Sequence, residues 1–109
     1  MTLSLRILPR AKKDFRQIFS YIESQSPQGA NRWKEAFREC VDQVAHNPER
    51  FALAPENARA KFELRQALFK TPKGLMYRAV FTVLDETVFI LRIRGPGQPP
   101  LTDGEMPIE

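Results

Sequence analysis

Residues 75–94 read LMYRAVFTVLDETVFILRIR and carry the clearest strand pattern of the chain. Alternating side chains on either side of Asp85 and Glu86 predict a β-hairpin with a two-residue acidic turn. One face of this hairpin carries the apolar residues Tyr77, Ala79, Phe81, Phe89, Leu91 and Ile93. The opposite face collects Arg78, Thr82, Arg92 and Arg94. We expect the apolar face to meet the rest of the core and the arginine face to be open to solvent.

Two amphipathic helices are predicted upstream of the hairpin. One begins at Pro9, and the other begins at Pro27 with Ser26 as its N-cap. Apolar side chains recur at helical spacing in both: Ala11, Phe15, Ile18, Phe19 and Ile22 in the first, and Trp33, Phe37, Cys40, Val41 and Val44 in the second. Asn47 and Pro48 end the second helix, so the two form a hairpin with a very short connection.

The remaining segments complete the predicted fold. Residues 2–8 and 62–70 are predicted strands, and residues 49–61 a loop that holds at most one helical turn. The order β-α-α-β-β-β predicts an α+β fold, in which a helical hairpin packs on one face of a small, mainly antiparallel sheet. We expect one domain over residues 1–95, followed by a Pro-rich acidic tail, residues 96–109, that is extended or disordered.

Composition narrows the class of protein. The chain has 109 residues, 42% of them apolar, which suits one globular domain. Its single cysteine, Cys40, cannot form an internal disulfide and suits a reducing compartment. No apolar run approaches the roughly 18 residues of a membrane span, and the start lacks the apolar core of a signal peptide. We therefore expect a cytoplasmic protein without a membrane partner.

Charge is distributed unevenly along the chain. The net charge is +4, but residues 95–109 contain three acids and no base, so residues 1–94 carry +7. Six bases against one acid give residues 59–78 a net charge of +5. A basic body favours contact with a phosphate backbone or with an acidic protein. A basic face that only keeps the protein soluble is the alternative.

Known cofactor and metal motifs are absent from the sequence. It contains no glycine-rich nucleotide loop and no pair of cysteines at metal-binding spacing, so we expect neither a cofactor nor a metal. The only histidine, His46, falls in the last turn of the second helix and is expected to cap it. Cys40 lies on an apolar stripe and is expected to pack. The candidate functional groups that remain are the side chains of lysine and arginine.

Residues 74–91 resemble the signature hairpin of the RelE/ParE family of type II toxins, the toxin components of toxin-antitoxin (plasmid stabilisation) modules. The resemblance rests on the pair Tyr77 and Arg78, the apolar strand that follows, the acidic turn and a second apolar strand. Upstream features occur in the family's order: Pro9-Arg10-Ala11, Tyr21-Ile22, Ala30 with Trp33, and Asn47-Pro48. The resemblance covers residues 3–95 and implies the β-α-α-β-β-β fold predicted above.

This resemblance implies a growth-inhibiting toxin with a cognate antitoxin as its partner. RelE-like members cleave mRNA on the ribosome, whereas ParE-like members bind and inhibit DNA gyrase. Arg78 matches the arginine that stabilises the transition-state phosphate in the RNA-cleaving branch, which makes it the candidate catalytic residue. Candidate contacts to nucleic acid or to another target are Arg65, Lys70, Lys73, Arg92 and Arg94.

The segment after the last strand departs from the family's pattern. The family usually has an arginine or histidine there, followed by a tyrosine or a further basic pair, whereas this chain continues with GPGQPP, residues 95–100. No tyrosine follows Tyr77 and no histidine follows His46, so the acid/base half of the nuclease set is missing unless Arg92, Arg94 or a lysine substitutes. A ParE-like toxin is therefore the first hypothesis. A ribosome-dependent mRNA endonuclease and a non-toxic member that binds only its antitoxin are the alternatives.

Overall fold

A computed structural model describes residues 2–102 of the chain. The elements are β1 (Ser4–Ile7), α1 (Pro9–Gln25), α2 (Pro27–His46), β2 (Arg65–Phe69), β3 (Tyr77–Leu84) and β4 (Thr87–Arg94). Two short 3₁₀ helices, Pro48–Arg50 and Pro55–Arg59, lie between α2 and β2. The four strands form one sheet in the order β1-β4-β3-β2, in which β1 runs parallel to β4 and the other pairs are antiparallel. The predicted α+β fold is confirmed.

Ser26 makes the sharp connection between the two helices. Its backbone N–H donates to the Ile22 carbonyl at the end of α1, at 2.7 Å. Its hydroxyl accepts from the Gly29 N–H at 3.0 Å and so caps α2, whose first residue is Pro27. One residue therefore ends one helix and begins the next, which holds α1 and α2 antiparallel against the sheet. The predicted helix starts at Pro9 and Pro27 are confirmed.

The main core lies between the helical hairpin and one face of the sheet. Trp33 of α2 is buried at its centre, with ring centroids 5.0 Å from Phe15, 5.8 Å from Phe69 and 5.5 Å from Tyr77. Each aromatic pair adds about 0.5–1.5 kcal/mol to the burial of its apolar surface. Cys40 is buried in the same cluster, as expected.

The hairpin formed by β3 and β4 contains a bulge that sequence alternation does not reveal. Val80 lies opposite Arg92, but the next residue, Phe81, lies opposite Ile90. Leu91 is therefore an extra residue in β4, a β-bulge. At the other end of the hairpin, the predicted acidic turn is confirmed.

Because of the bulge, the side chains in the first half of β4 lie on the opposite faces of the sheet from those predicted. Val88 and Ile90 belong to the core beneath the helices, whereas Phe89 and Leu91 pack on the opposite side of the sheet. The prediction that Phe89 and Leu91 face the helices is wrong, because one inserted residue moves every side chain before it to the other face.

The second face of the sheet is covered rather than open to solvent. Its buried cluster consists of Ala54, Leu64, Val80, Leu91 and Leu101. The segment between α2 and β2 and the residues after β4 supply the cover. The prediction of a solvent-open arginine face is wrong, because Val80 and Leu91 make this face apolar and its burial is favourable.

Leu101 belongs to the predicted tail, yet none of its surface is exposed. Residues 98–102 contain no helix or strand but follow the second face of the sheet. The tail's three acids, Asp103, Glu105 and Glu109, lie outside the described residues. The domain boundary at residue 95 stays a prediction. No helix within residues 2–102 is both long and apolar enough to cross a membrane.

Candidate functional site

Arg78, the candidate catalytic residue, forms a bidentate ion pair with Glu56. Its two terminal nitrogens donate to the two carboxylate oxygens of Glu56, at 3.1 and 2.6 Å. One of them also donates to the side-chain oxygen of Gln66, at 3.2 Å. The Arg78 side chain is 14% exposed and that of Glu56 is 0% exposed. The guanidinium is therefore largely buried against the second face of the sheet.

Glu56 is the acceptor around which this cluster is built. Its carboxylate also accepts from the Leu101 N–H, at 2.7 Å. Burial alone raises the pKa of Glu56, but the hydrogen bonds from Arg78 and Leu101 outweigh it, so the pKa lies below its usual value. The carboxylate is consequently charged at neutral pH, and its charge is matched by that of Arg78.

The segment after β4 closes over this pair and forms what we call the C-terminal strap, residues 98–102. The Arg59 guanidinium donates to the Leu101 carbonyl, at 2.6 Å. Arg94, which is 5% exposed, donates to the Pro99 carbonyl, at 2.9 Å. Two arginines therefore bind backbone carbonyls of the strap, while Leu101 fills the apolar cluster beneath it.

Arg92 is paired with the first helix. Its Nε atom donates to a carboxylate oxygen of Asp14 at 2.8 Å, and a terminal nitrogen donates to the other oxygen at 3.2 Å. The Ile93 N–H donates to the same carboxylate, at 2.9 Å. Arg92 therefore connects β4 to α1.

The three remaining candidates lie along and beyond β2. Arg65 donates to the Phe51 carbonyl and, at 3.1 Å, to Glu63. Lys70 and Lys73 are exposed in the connection between β2 and β3. Of the six predicted site residues, these two lysines are therefore the exposed ones. The roles of all six in catalysis or target binding stay predictions.

His46 lines a cleft that does not include Arg78. Its ring nitrogens lie 3.1 Å from the Asp42 carbonyl and 3.3 Å from the Thr2 hydroxyl, which suits its predicted place in the last turn of α2. The cleft of about 410 Å³ beside it is lined by the charged residues Glu49, Glu63 and Arg65 together with polar and apolar side chains. Two carboxylates against one guanidinium make this cleft unfavourable for a phosphate backbone.

Neither a thiol nucleophile nor a metal centre is evident within residues 2–102. Burial raises the pKa of the Cys40 thiol to about 11, so the thiol is protonated and unreactive at neutral pH. No group of three or more histidine, cysteine or acidic side chains in this part of the chain comes together in a way that could hold a metal ion.

Sequence reasoning missed Glu56, Asp14 and Leu101. Glu56 and Arg78 are 22 residues apart, and Asp14 and Arg92 are 78 residues apart, so neither pair has a local signal. Leu101 is the single large apolar residue among the glycines and prolines of residues 95–102, and that was the one available indication that this segment is anchored.

The fold and these contacts define a small α+β protein. Two arginines of its sheet are paired with Glu56 and Asp14, and the C-terminal strap covers one face of the sheet. The family described as "ParE toxin of type II toxin-antitoxin system, parDE" matches residues 5–98. The chain therefore belongs to the ParE toxin family, and it is a type II toxin for which the family implies an antitoxin partner. No curated protein matches the chain.

Proposed function

We propose that this toxin arrests growth by binding a protein target, with ParE-like inhibition of DNA gyrase as the first candidate, and that a cognate antitoxin neutralises it in the cytoplasm. The observation that carries the proposal is the pairing of Arg78 with Glu56. The RNA-cleaving role that the resemblance implies for Arg78 requires its guanidinium to reach the scissile phosphate. Here the guanidinium binds a carboxylate that is 0% exposed.

The energies favour the ion pair over an RNA phosphate. Moving Arg78 onto a phosphate leaves the Glu56 carboxylate buried without its partner, which costs about 3–5 kcal/mol. A hydrogen bond to a charged group returns a net of about 1.5–3 kcal/mol. Arg78 therefore acts as a structural residue in this proposal, and the target is recognised elsewhere on the surface.

The distribution of acid/base groups also supports binding rather than cleavage. General acid–base catalysis requires a group within hydrogen-bonding reach of the reacting proton. His46 lines a cleft whose lining does not include Arg78. Within the described part of the chain, the one histidine and the candidate catalytic arginine therefore do not line a common cleft.

Controlled expression in bacteria tests the proposed function. The chain is induced alone and together with the small gene beside it, while DNA synthesis and protein synthesis are pulse-labelled separately. We expect DNA synthesis to fall first and the neighbouring product to restore it. Early loss of protein synthesis instead supports an mRNA endonuclease, and normal growth supports a non-toxic member that only binds its antitoxin.

A purified assay separates the target from later effects in the cell. The chain is added to DNA gyrase in a supercoiling reaction, with and without the neighbouring product. We expect inhibition that the neighbouring product relieves. Full gyrase activity at concentrations that stop translation in a cell extract would contradict the gyrase assignment.

A further inference from the structure

A second cluster of cations lies on the helical hairpin, away from the sheet arginines. A cavity of about 310 Å³ opens between α1, α2 and the end of β1. Its apolar lining consists of Phe37, which is buried, and Ile7 and Phe15, which are half-buried. Its charged lining consists of four exposed cations: Lys12, Arg16, Lys34 and Arg38. We call this cavity and its rim the cationic groove.

No ion pair within residues 2–102 involves the four rim cations. Lys12 and Arg16 are four residues apart on α1, and Lys34 and Arg38 are four apart on α2, a spacing at which like charges repel. No carboxylate among the described residues lines the groove. The fold therefore concentrates positive charge here at a small expense in stability.

We propose that the cationic groove is the docking surface for the antitoxin, an inference that rests on the proposed function. The groove takes an acidic segment of the antitoxin that inserts one bulky apolar side chain against Phe15 and Phe37. The carboxylates of that segment bind the rim cations. Charge complementarity steers the encounter, and the apolar contact holds the complex.

The apolar lining favours a protein segment over a nucleic-acid duplex. The phosphates of a duplex would engage the four cations, but its bases are stacked on one another and would leave the space beside Ile7, Phe15 and Phe37 unfilled. A bulky side chain seated in a pocket, with a polar rim around it, is a common arrangement at protein–protein interfaces. The antitoxin is accordingly expected to supply both features from one segment.

The experiment compares two double variants with the same change in charge. Lys12→Gln/Arg38→Gln removes one lysine and one arginine from the groove. Its control, Lys13→Gln/Arg32→Gln, removes one of each from exposed positions on the same two helices outside the groove. The probe is the protein encoded beside the toxin gene, and its affinity for each full-length chain is measured by titration calorimetry at low and high salt.

We expect the groove variant to lose about tenfold in affinity at low salt and the control less than about twofold. The difference narrows at high salt, because screening weakens exposed charges. Lys12→Arg/Arg38→Lys, which keeps both charges, is expected to bind like the original chain. Circular dichroism and the thermal midpoint show that each variant is folded.

The outcomes separate this proposal from the proposed function. Equal affinity of the groove and control variants overturns the groove as the docking surface, while the toxin and its neighbour remain a pair. Failure of the neighbouring product to bind the unaltered chain overturns the pairing itself, and this proposal with it. Weakening by the groove variant alone supports both.

Discussion

The two cationic regions of this toxin differ in what surrounds each charge. On the sheet, Arg78 and Arg92 are paired with Glu56 and Asp14, and Arg94 binds a strap carbonyl. On the helical hairpin, the rim cations of the cationic groove are exposed and no acid is among the groove-lining residues. Both regions are rich in basic residues, but the sheet arginines Arg78, Arg92 and Arg94 bind groups of the protein itself, whereas the rim cations stand outside the ion pairs of residues 2–102.

The difference shows which charges belong to the fold. A buried ion pair contributes little compared with an apolar replacement, yet removing one partner is strongly unfavourable because the other is left charged and buried. Exposed cations can be removed with small effects on stability. Substitutions of the paired sheet arginines should therefore cause large losses of stability, and substitutions of the groove cations should be almost neutral.

The largest expected effect comes from Arg78→Ala. Glu56 loses its guanidinium while none of its side chain is exposed, so we expect the free energy of unfolding to fall by about 3–5 kcal/mol. Urea denaturation measures this change. Lys73→Ala, at an exposed position, is the control and should alter stability by less than about 0.5 kcal/mol.

An unchanged stability of the Arg78→Ala chain would show that Arg78 is free for catalysis. Such a result, combined with loss of toxicity, would restore the RNA-cleaving hypothesis. The resemblance assigned Arg78 a catalytic role, and this single variant distinguishes that role from the structural one.

The next effect in size is expected from Leu101→Ala. Leu101 has 0% exposure and lies against Leu64, Val80 and Leu91, so its truncation should cost about 2–4 kcal/mol. Leu75→Ala removes the same atoms from a side chain that is 66% exposed and should be almost neutral. Thermal or urea unfolding compares the two. Equal effects would mean that the strap does not cover the sheet in solution.

A smaller effect should appear as a pH dependence. The lowered pKa of Glu56 means that its contribution to stability is present above its usual pKa, near 4.5, and is lost as pH falls through the lowered value. Glu56→Gln removes this ionisation, so the variant should be less stable near neutral pH, and the gap should shrink in acid. Unfolding measured from pH 7 downward checks the trend, which a constant gap would contradict.

Local signals made much of the fold predictable. Neighbouring residues alone specify two of its connections. Ser26 and Pro27 mark the start of α2, and Asp85 and Glu86 mark the turn between β3 and β4. The bulge at Leu91 was not predictable, because one inserted residue is decided by packing on both faces of the sheet. The surroundings of the candidate site were not predictable for a related reason: Glu56 and the strap are distant from Arg78 in sequence, and only the fold brings them to it.

The smallest expected effect concerns the cationic groove, and its sign matters more than its size. Lys12→Gln/Lys34→Gln removes one charge from each like-charged pair and leaves Arg38 beside Glu35 and Asp42, so relief of that repulsion should raise stability by a few tenths of a kcal/mol. The control Lys13→Gln/Arg32→Gln tests whether any basic pair gives the same gain. Thermal unfolding at low and high salt measures both, and the gain should disappear at high salt. A loss of stability would show that these cations serve the fold, as Arg78 and Arg92 do, and would remove the contrast between the two regions.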